Sequence, residues 1–256
     1  MGIFGEKQKC CICNIEDGKV KMLDGAVCRE CSVLGGKFLP PKPLAKITNI
    51  ELKNAIERNE KNKNLLAEFE VTQKIGTYIE FDEHKKLWLV PDGFLGKKKD
   101  PTVYKYSDIL EYELIEDGES LTRGGLGRAV AGGFLFGGVG AVVGGVTGGK
   151  KTKSIINKMQ IKITIKDINN PVVYINLIVV STKSSSMIYK SAQNSAQNIL
   201  STLSVILDNM KEQDKVSNNN ASVSVADELV KMKKLFDDGI LSKEEFEKAK
   251  EKILNK

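Results

Sequence analysis

The cysteines of this sequence all lie near its start and form two Cys-x-x-Cys pairs. Cys10 and Cys13 make the first pair, and Cys28 and Cys31 make the second. A Cys-x-x-Cys turn places two thiolates on the same side of the chain, and two such turns supply the four soft ligands that zinc binds at tetrahedral corners. Because four protein ligands leave no open position for water, the spacing predicts a structural zinc site.

A fifth cysteine, Cys11, is surplus to this set. It could replace Cys10 only by forming a tighter chelate with Cys13, so the four outer cysteines are the predicted ligands. The Leu23–Ala26 segment is typical of a hairpin turn that folds the second pair back onto the first. The N-terminus lacks the basic and apolar regions of a signal peptide, so we expect a reducing compartment, where clustered cysteines bind metal.

Residues 1–35 as a whole resemble a small zinc-ribbon-like family of unknown function found at the N-termini of bacterial and phage proteins. The Met1–Gly5 start and the Asp24–Cys28 run carry the resemblance. It implies a structural metal and no activity. Asn14 departs from the pattern, because such knuckles often have glycine at this position.

Nothing in the sequence assembles a catalytic site. The only histidine, His84, lies in a charged stretch that is typical of a turn between two strands. A single histidine gives histidine-dependent catalysis almost nothing to build on. Glu111 and Glu113 alternate with apolar residues and are expected on a solvated strand face. We therefore predict that the protein is not an enzyme.

The middle of the chain predicts an α+β fold. Residues 36–72 form a proline-rich linker and a charged helix, which Thr48 and Glu51 begin with a capping box. Residues 73–212 alternate apolar and polar positions over several strands, most clearly in Lys158–Lys166, and end in a long amphipathic helix. This layout, with the stretch from Tyr106 to Gly118, resembles the bacterial PH-like architecture, which implies an antiparallel β domain closed by a helix.

A glycine-rich insert, residues 124–150, interrupts the predicted domain. A phosphate-binding loop is disfavoured because Lys151 follows Lys150 where a hydroxyl residue should hold magnesium. A single membrane span is also disfavoured, because it would separate strands of one sheet across the bilayer. Glycines that recur every four residues favour a hairpin of two short helices. This hairpin could pack on protein, enter an anionic membrane flanked by Arg123, Arg128 and Lys150–Lys153, or stay a disordered loop.

The last segment, residues 224–256, follows a polar linker at 213–223 and predicts two short helices. Ser242 and Glu245 are spaced as a capping box at the start of the second helix. The stretch Leu235–Phe246 closely resembles the SHOCT domain, a short C-terminal module, which implies oligomerisation or partner binding. About 30 residues bury too little surface for high stability alone. The apolar residues expected to meet a partner are Leu229, Phe236, Phe246 and Ile253.

The expected function is that of a non-enzymatic scaffold or regulator. It would self-associate or bind a protein through its C-terminal hairpin, and bind a protein or membrane surface through its central domain. The expected location is the cytoplasm, with a peripheral position at the inner face of the membrane left open. The alternative is a zinc-containing, nucleic-acid-associated regulator that uses Lys97–Lys99, but lysines without stacking aromatics make nucleic acid an unlikely partner. A net charge of +6 permits both partners and demands neither.

Overall fold

The computed structural model describes residues 8–126, 128–131, 154–220, 225–238 and 241–254. The Met1–Gly5 start and the predicted helical hairpin of the insert therefore lie outside the described residues. The chain forms two compact units, residues 1–106 and 107–256. Together they mix helices with antiparallel sheets, which confirms the α+β prediction. The domain boundaries drawn from the sequence stay predictions.

The first unit contains the cysteine segment, one long helix and a small sheet. Its elements in chain order are β1 (Val20–Lys21), β2 (Ala26–Val27), α1 (Arg29–Val33), α2 (Asn49–Glu68), β3 (Gln73–Ile75), β4 (Ile79–Asp82), β5 (Leu87–Leu89) and β6 (Val103–Lys105).

Helix α2 begins with the predicted capping box. The Glu51 N–H donates to the Thr48 hydroxyl at 3.2 Å, and the Thr48 N–H donates to the Glu51 carboxylate at 2.8 Å. The first turns of α2 add Leu52 to a buried cluster that also holds Met22 and Ile47. Its last turn packs against a second cluster in the sheet. The cysteine segment therefore shares a hydrophobic core with α2.

The four strands β3–β6 pair as an antiparallel sheet in sequence order. Trp88, at the centre of β5, is fully buried, and its ring stacks on Tyr104 with the centroids 4.7 Å apart. His84 is exposed in the turn between β4 and β5, as the sequence indicated. The long connection between β5 and β6 carries the lysine triplet.

The second unit contains a larger antiparallel sheet and three helices. Its elements are β7 (Ile109–Glu116), β8 (Glu119–Gly125), β9 (Arg128–Ala131), β10 (Ile155–Ile156), β11 (Met159–Ile165), β12 (Val172–Ile178), β13 (Thr182–Lys183), α3 (Met187–Asn220), α4 (Val225–Asp237) and α5 (Lys243–Leu254). The five-stranded sheet has the order β12-β11-β7-β8-β9, and β10 pairs with β13 beside it.

The buried face of this sheet follows the predicted alternation. All four apolar residues of β11, which are Met159, Ile161, Ile163 and Ile165, are buried. Helix α3 adds a stripe that includes Ala196, Ile199 and Leu203, all fully buried. Ile188, expected in the same stripe, is 68% exposed at the start of the helix. The helix also continues to Asn220, well into the segment predicted as a linker.

The prediction that Glu113 is solvated is wrong. The residue is 6% exposed, and its carboxylate lies 2.6 Å from Arg123 Nη2 and 3.8 Å from Lys162 Nζ. Both partners sit directly opposite Glu113 on the neighbouring strands. Two cross-strand cations replace the water that the carboxylate loses on burial. Arg123, which would flank the insert if the insert entered a membrane, is engaged in this ion pair.

The glycine-rich insert begins as sheet, not as helix. Gly124 and Gly125 end β8, and Arg128–Ala131 form β9, which pairs with β8. Strand β9 runs back towards the turn at Asp117. The chain returns at the same end, where the Asn157 and Lys158 amides each donate to Asp117 Oδ1 at 2.9 Å. Strand β9 therefore heads towards the end of the sheet at which the chain returns.

Gly124 is opposite the buried Tyr112 ring, and its replacement by alanine should destabilise the second unit. A Cβ at this position would lie 2.5 Å from the Tyr112 hydroxyl oxygen, closer than real contacts allow. Overpacking of this kind costs about 1–3 kcal/mol, which thermal melting followed by circular dichroism will register. Gly25→Ala is the control, because its Cβ would meet nothing closer than 3.7 Å. A melting temperature unchanged by Gly124→Ala contradicts the packing.

Candidate metal centre and C-terminal hairpin

The structure brings Cys10, Cys13, Cys28 and Cys31 into one cluster. Their sulfur atoms all lie within 4.8 Å of one another, and the cysteines form no disulfide. A tetrahedral ion with metal–sulfur bonds of about 2.3 Å needs sulfurs about 3.8 Å apart, so modest contraction closes the site. The four thiols could therefore hold a metal ion. Their assignment as ligands stays a prediction.

The first pair sits on a tight knuckle that is tied to the hairpin. The Ile12 N–H points at the Cys10 sulfur at 3.5 Å, and the Cys11 N–H donates to the Ala26 carbonyl at 2.9 Å. The knuckle ends at Asn14, whose φ of 56° is left-handed. Asparagine tolerates this conformation better than most residues. The departure from glycine at this position is therefore compatible with the knuckle.

The second pair begins helix α1. Cys28 is the N-cap residue, and its sulfur accepts a hydrogen bond from the Cys31 N–H at 3.4 Å. The helix N-terminus adds partial positive charge beside this sulfur. The strands β1 and β2 hold the two pairs together through the pairs Val20–Val27 and Lys21–Ala26. The connecting turn is the segment 22–25, in which the Met22 N–H donates to the Gly25 carbonyl at 2.9 Å.

The four thiols affect one another's ionisation. Burial raises the pKa of Cys10, but N–H groups of Cys28, Cys13 and Ile12 outweigh it and lower the pKa to about 6. Burial and the neighbouring thiols, Cys28 first, raise the pKa of Cys31 far above its usual value. Ionisation of one sulfur thus opposes ionisation of another. A divalent cation removes this opposition, because it stabilises all the thiolates together.

Cys11 points away from the cluster. Its thiol lies 3.7 Å from the Met22 sulfur, and burial raises its pKa. A protonated thiol packed on a thioether behaves as a small apolar group.

The C-terminal hairpin keeps a partly exposed apolar stripe. Phe236 of α4 stacks on Phe246 of α5 with the centroids 5.1 Å apart. Leu229, Met232 and both phenylalanines are only half-buried. The side chain of Ile253, the fourth predicted contact, lies outside the described part of the chain. The hairpin thus brings two of the four predicted residues into direct contact and leaves them open to a partner.

The start of α5 is capped as the sequence predicts. The Glu245 N–H donates to the Ser242 hydroxyl at 3.3 Å, and the Ser242 N–H donates to the Glu245 carboxylate at 3.0 Å. The Ser242 amide and hydroxyl lower the pKa of Glu245. The cap fixes where α5 begins, and therefore which of its residues face α4.

One exposed feature escaped sequence reasoning. Phe94 and Leu95 are 79% and 72% exposed, immediately before the lysine triplet at 97–99. The signal was present in the sequence as two large apolar residues between Gly93 and Gly96, within a turn.

Two family models match the chain. Residues 67–179 match the model described as a glycine zipper containing PH domain, and residues 227–254 match the SHOCT short C-terminal domain. The first match runs from the end of α2 to the end of β12 and includes the glycine-rich insert. The PH-like and SHOCT resemblances drawn from the sequence are confirmed.

Two relatives share a shorter stretch. The chain is similar to an immunity protein of Bacillus phage SPbeta, with 30% identity over 73 residues, which is 28% of this chain and 36% of the relative. It is equally similar to the SPbeta prophage-derived membrane protein YomJ of Bacillus subtilis strain 168, with 30% identity over 73 residues, which is 32% of that protein. The chain thus matches about a third of each relative's length. No solved structure matches.

Among the described residues, no helix combines the length and apolar character needed to cross a membrane. The two matched modules indicate an interaction-type protein. The chain joins an N-terminal cluster of four cysteines to a glycine-zipper PH domain and a C-terminal SHOCT domain.

Proposed function

We propose that this chain is a scaffold or regulator that self-associates through its C-terminal hairpin and works at the cytoplasmic face of a membrane. The single observation that carries the proposal is the half-buried stripe around Phe236 and Phe246. Apolar side chains that remain partly in water favour association, because burying them releases free energy in proportion to the area covered. Sedimentation of the full chain, with and without the hairpin, tests it.

The membrane part of the proposal rests on the end of the sheet from which the insert leaves. Strand β9 heads towards this end, the chain returns there beside Asp117, and no charged residue occurs between Ala129 and Gly149. Five exposed apolar residues occur in the segments that meet at this end: Ile155, Val179, Val180, Met187 and Ile188. The Ser181 hydroxyl bonds Asn157 at 2.7 Å, which ties the β12–β13 connection to the returning chain. An apolar segment that leaves and returns at one apolar end can enter one leaflet without dividing the sheet.

The relatives support a role in binding at a membrane. One carries the name immunity protein and the other the name membrane protein. Either role needs a surface that recognises another molecule. We infer that this chain acts by binding a partner molecule. Self-association through the SHOCT hairpin would give each assembly several copies of the binding surface.

The metal in this proposal is zinc. Four thiolates at tetrahedral spacing suit zinc, and the cluster leaves no position for a substrate. When bound, zinc supplies a cross-link between the knuckle, the hairpin and α1. The residues around it keep the sulfurs dry and in place, through the core that Leu52 and Ile47 share with the cysteines.

Exchanging residues 132–153 for a short Gly-Ser loop should leave the fold intact and weaken membrane association. The residues on either side of the segment pair in strands β9 and β10, so a Gly-Ser loop that spans the distance from Ala131 to Ser154 should leave the sheet paired. Circular dichroism and thermal melting should match those of the parent chain, while flotation with vesicles of bacterial lipids should decrease. Unfolding of the second unit would mean that the insert is part of the core. Undiminished flotation would remove the insert from the proposed membrane contact.

A further inference from the structure

The connection between β5 and β6 carries an apolar tip that the fold holds out in solvent. Phe94 and Leu95 stand at this tip, 79% and 72% exposed. Scattered exposed apolar residues are common, but two large ones side by side at the end of a loop form a protrusion. A protrusion of this kind suits insertion into a soft apolar phase.

Hydrogen bonds within the loop hold the tip in its extended position. The Asp92 carboxylate accepts the N–H groups of Lys99 and Asp100 at 2.8 and 2.9 Å. The Gly93 N–H donates to the Lys97 carbonyl at 2.8 Å, so the chain closes on itself around the tip. These bonds fix the direction in which the tip projects.

The base of the loop is fixed as well. The buried Asn62 side chain donates to the Pro101 carbonyl at 3.0 Å and accepts the Val103 N–H at 2.8 Å. The loop therefore starts and ends on ordered structure. Because hydrogen bonds order the tip and the base of the loop before binding, docking of the loop costs less conformational entropy.

Leu95 has a φ of 54°, a left-handed conformation that is uncommon for leucine. Strained backbone of this kind persists where the surrounding structure enforces it, and it occurs often at binding sites. Here the strain turns the leucine outward beside Phe94. A polar residue at position 95 would avoid exposing apolar surface to water. An apolar residue that is both strained and exposed therefore indicates a binding role.

The charges beside the tip select the partner. Lys98 lies 3.0 Å from the Glu80 carboxylate, and Asp100 lies 3.1 Å from Lys37 Nζ. Lys97 and Lys99 are exposed, and within the described ranges neither forms an ion pair. Two available cations beside two apolar side chains match the interface of an anionic bilayer, where phosphates lie just outside the acyl chains. A nucleic-acid base could stack on Phe94, but it would leave Leu95 exposed, because leucine offers no stacking surface.

We propose that Phe94 and Leu95 insert into the interface of an anionic membrane while Lys97 and Lys99 contact its phosphates. This proposal rests on the proposed membrane function but uses residues of the first unit and none of the glycine-rich insert. It makes the first unit a membrane-binding element in its own right.

Vesicle cosedimentation of the full chain tests the inference. With vesicles of phosphatidylcholine and phosphatidylglycerol, the double variant Phe94→Ser/Leu95→Ser should bind roughly 100-fold more weakly, since each side chain contributes about tenfold. Lys97→Gln/Lys99→Gln should lose roughly fivefold per lysine on these vesicles and nothing on phosphatidylcholine alone. Ile50→Ser is the matched control, because Ile50 is 66% exposed in the same unit and has no neighbouring lysine triplet. It should bind as the parent chain does.

A fluorescence measurement follows the tip itself. Phe94→Trp adds an exposed indole to a chain whose own Trp88 is fully buried, so emission should shift to the blue when anionic vesicles are added. An unshifted emission, or full binding by Phe94→Ser/Leu95→Ser, overturns the proposal. So does binding to single-stranded DNA that needs Phe94 and the lysines but is unaffected by Leu95→Ser.

The insert-exchanged chain separates this inference from the proposed function. If it still binds vesicles while Phe94→Ser/Leu95→Ser does not, the loop is the contact and the insert is not. If the loop variant binds and the insert-exchanged chain does not, the loop proposal fails. If the parent chain binds no vesicles, both proposals fail.

Discussion

Replacement of Cys28 by serine should abolish zinc binding, which we expect at one equivalent per chain in the parent protein. Structural zinc in small domains contributes about 10–16 kcal/mol at neutral pH, and that free energy is also folding free energy. Loss of a residue that only hydrogen-bonds a metal ligand lowers metal affinity by roughly 10–100-fold. Loss of Cys28, a predicted ligand itself, should lower zinc affinity by more than this. Cys28 also caps α1 and lies in the cluster with Met22 and Leu52. Elemental analysis gives the stoichiometry, and hydrogen exchange at Val27 and Cys31 gives the loss of order.

Cys11→Ser is the matched control for this experiment. It removes a thiol at the adjacent knuckle, but that sulfur contacts Met22 and not the cluster. The variant should keep one zinc and normal exchange protection. Chelation of the parent protein should reproduce the effect of Cys28→Ser. Retention of zinc by Cys28→Ser, or its loss from Cys11→Ser, contradicts the ligand set.

Local sequence patterns predicted most of the fold correctly. The alternation in β11 and the capping boxes of α2 and α5 are short-range signals, because each depends on residues a few positions apart. Strands β8 and β9 were not predicted: β8 ends in Gly124 and Gly125, which weaken strand propensity, and the four residues of β9 are too few to show a clear alternation. The ring of Tyr112 fills the space above Gly124, and only the pairing of β7 with β8 reveals this.

The errors about charge have the same origin. Glu113 alternates with apolar neighbours, as a solvated residue does, yet it is buried between Arg123 and Lys162. Those partners are distant in sequence and adjacent only after the strands pair. The exposure of Phe94 and Leu95 is likewise a property of the folded loop. The cysteines were predictable because their chemistry is tied to their spacing.

Polar substitution in the C-terminal stripe should convert an oligomer of the full chain towards monomer. Leu229, Phe236 and Phe246 are half-buried within the hairpin, so association can bury only the remainder of each side chain. We therefore expect a change at the lower end of the range for full burial, about 1.5 kcal/mol or roughly tenfold in the association constant for each residue. Ile253 is predicted to contribute similarly. Sedimentation of the parent chain should give a mass above 28.2 kDa, and truncation after Asn220 should lower it.

Leu229→Ser and Phe246→Ser separate association from hairpin stability. Phe246 stacks on Phe236, so its loss weakens both the hairpin and any interface. Val230→Ser is the control, because Val230 is 68% exposed on α4 beside Leu229 and should leave the mass unchanged. Each variant should also be made in the insert-exchanged chain, since the insert could provide a second contact between copies. A parent chain that sediments as a monomer at tens of micromolar excludes self-association in that range. The stripe would then bind a different protein, and Phe246→Glu should abolish capture of that protein while Val230→Ser should not.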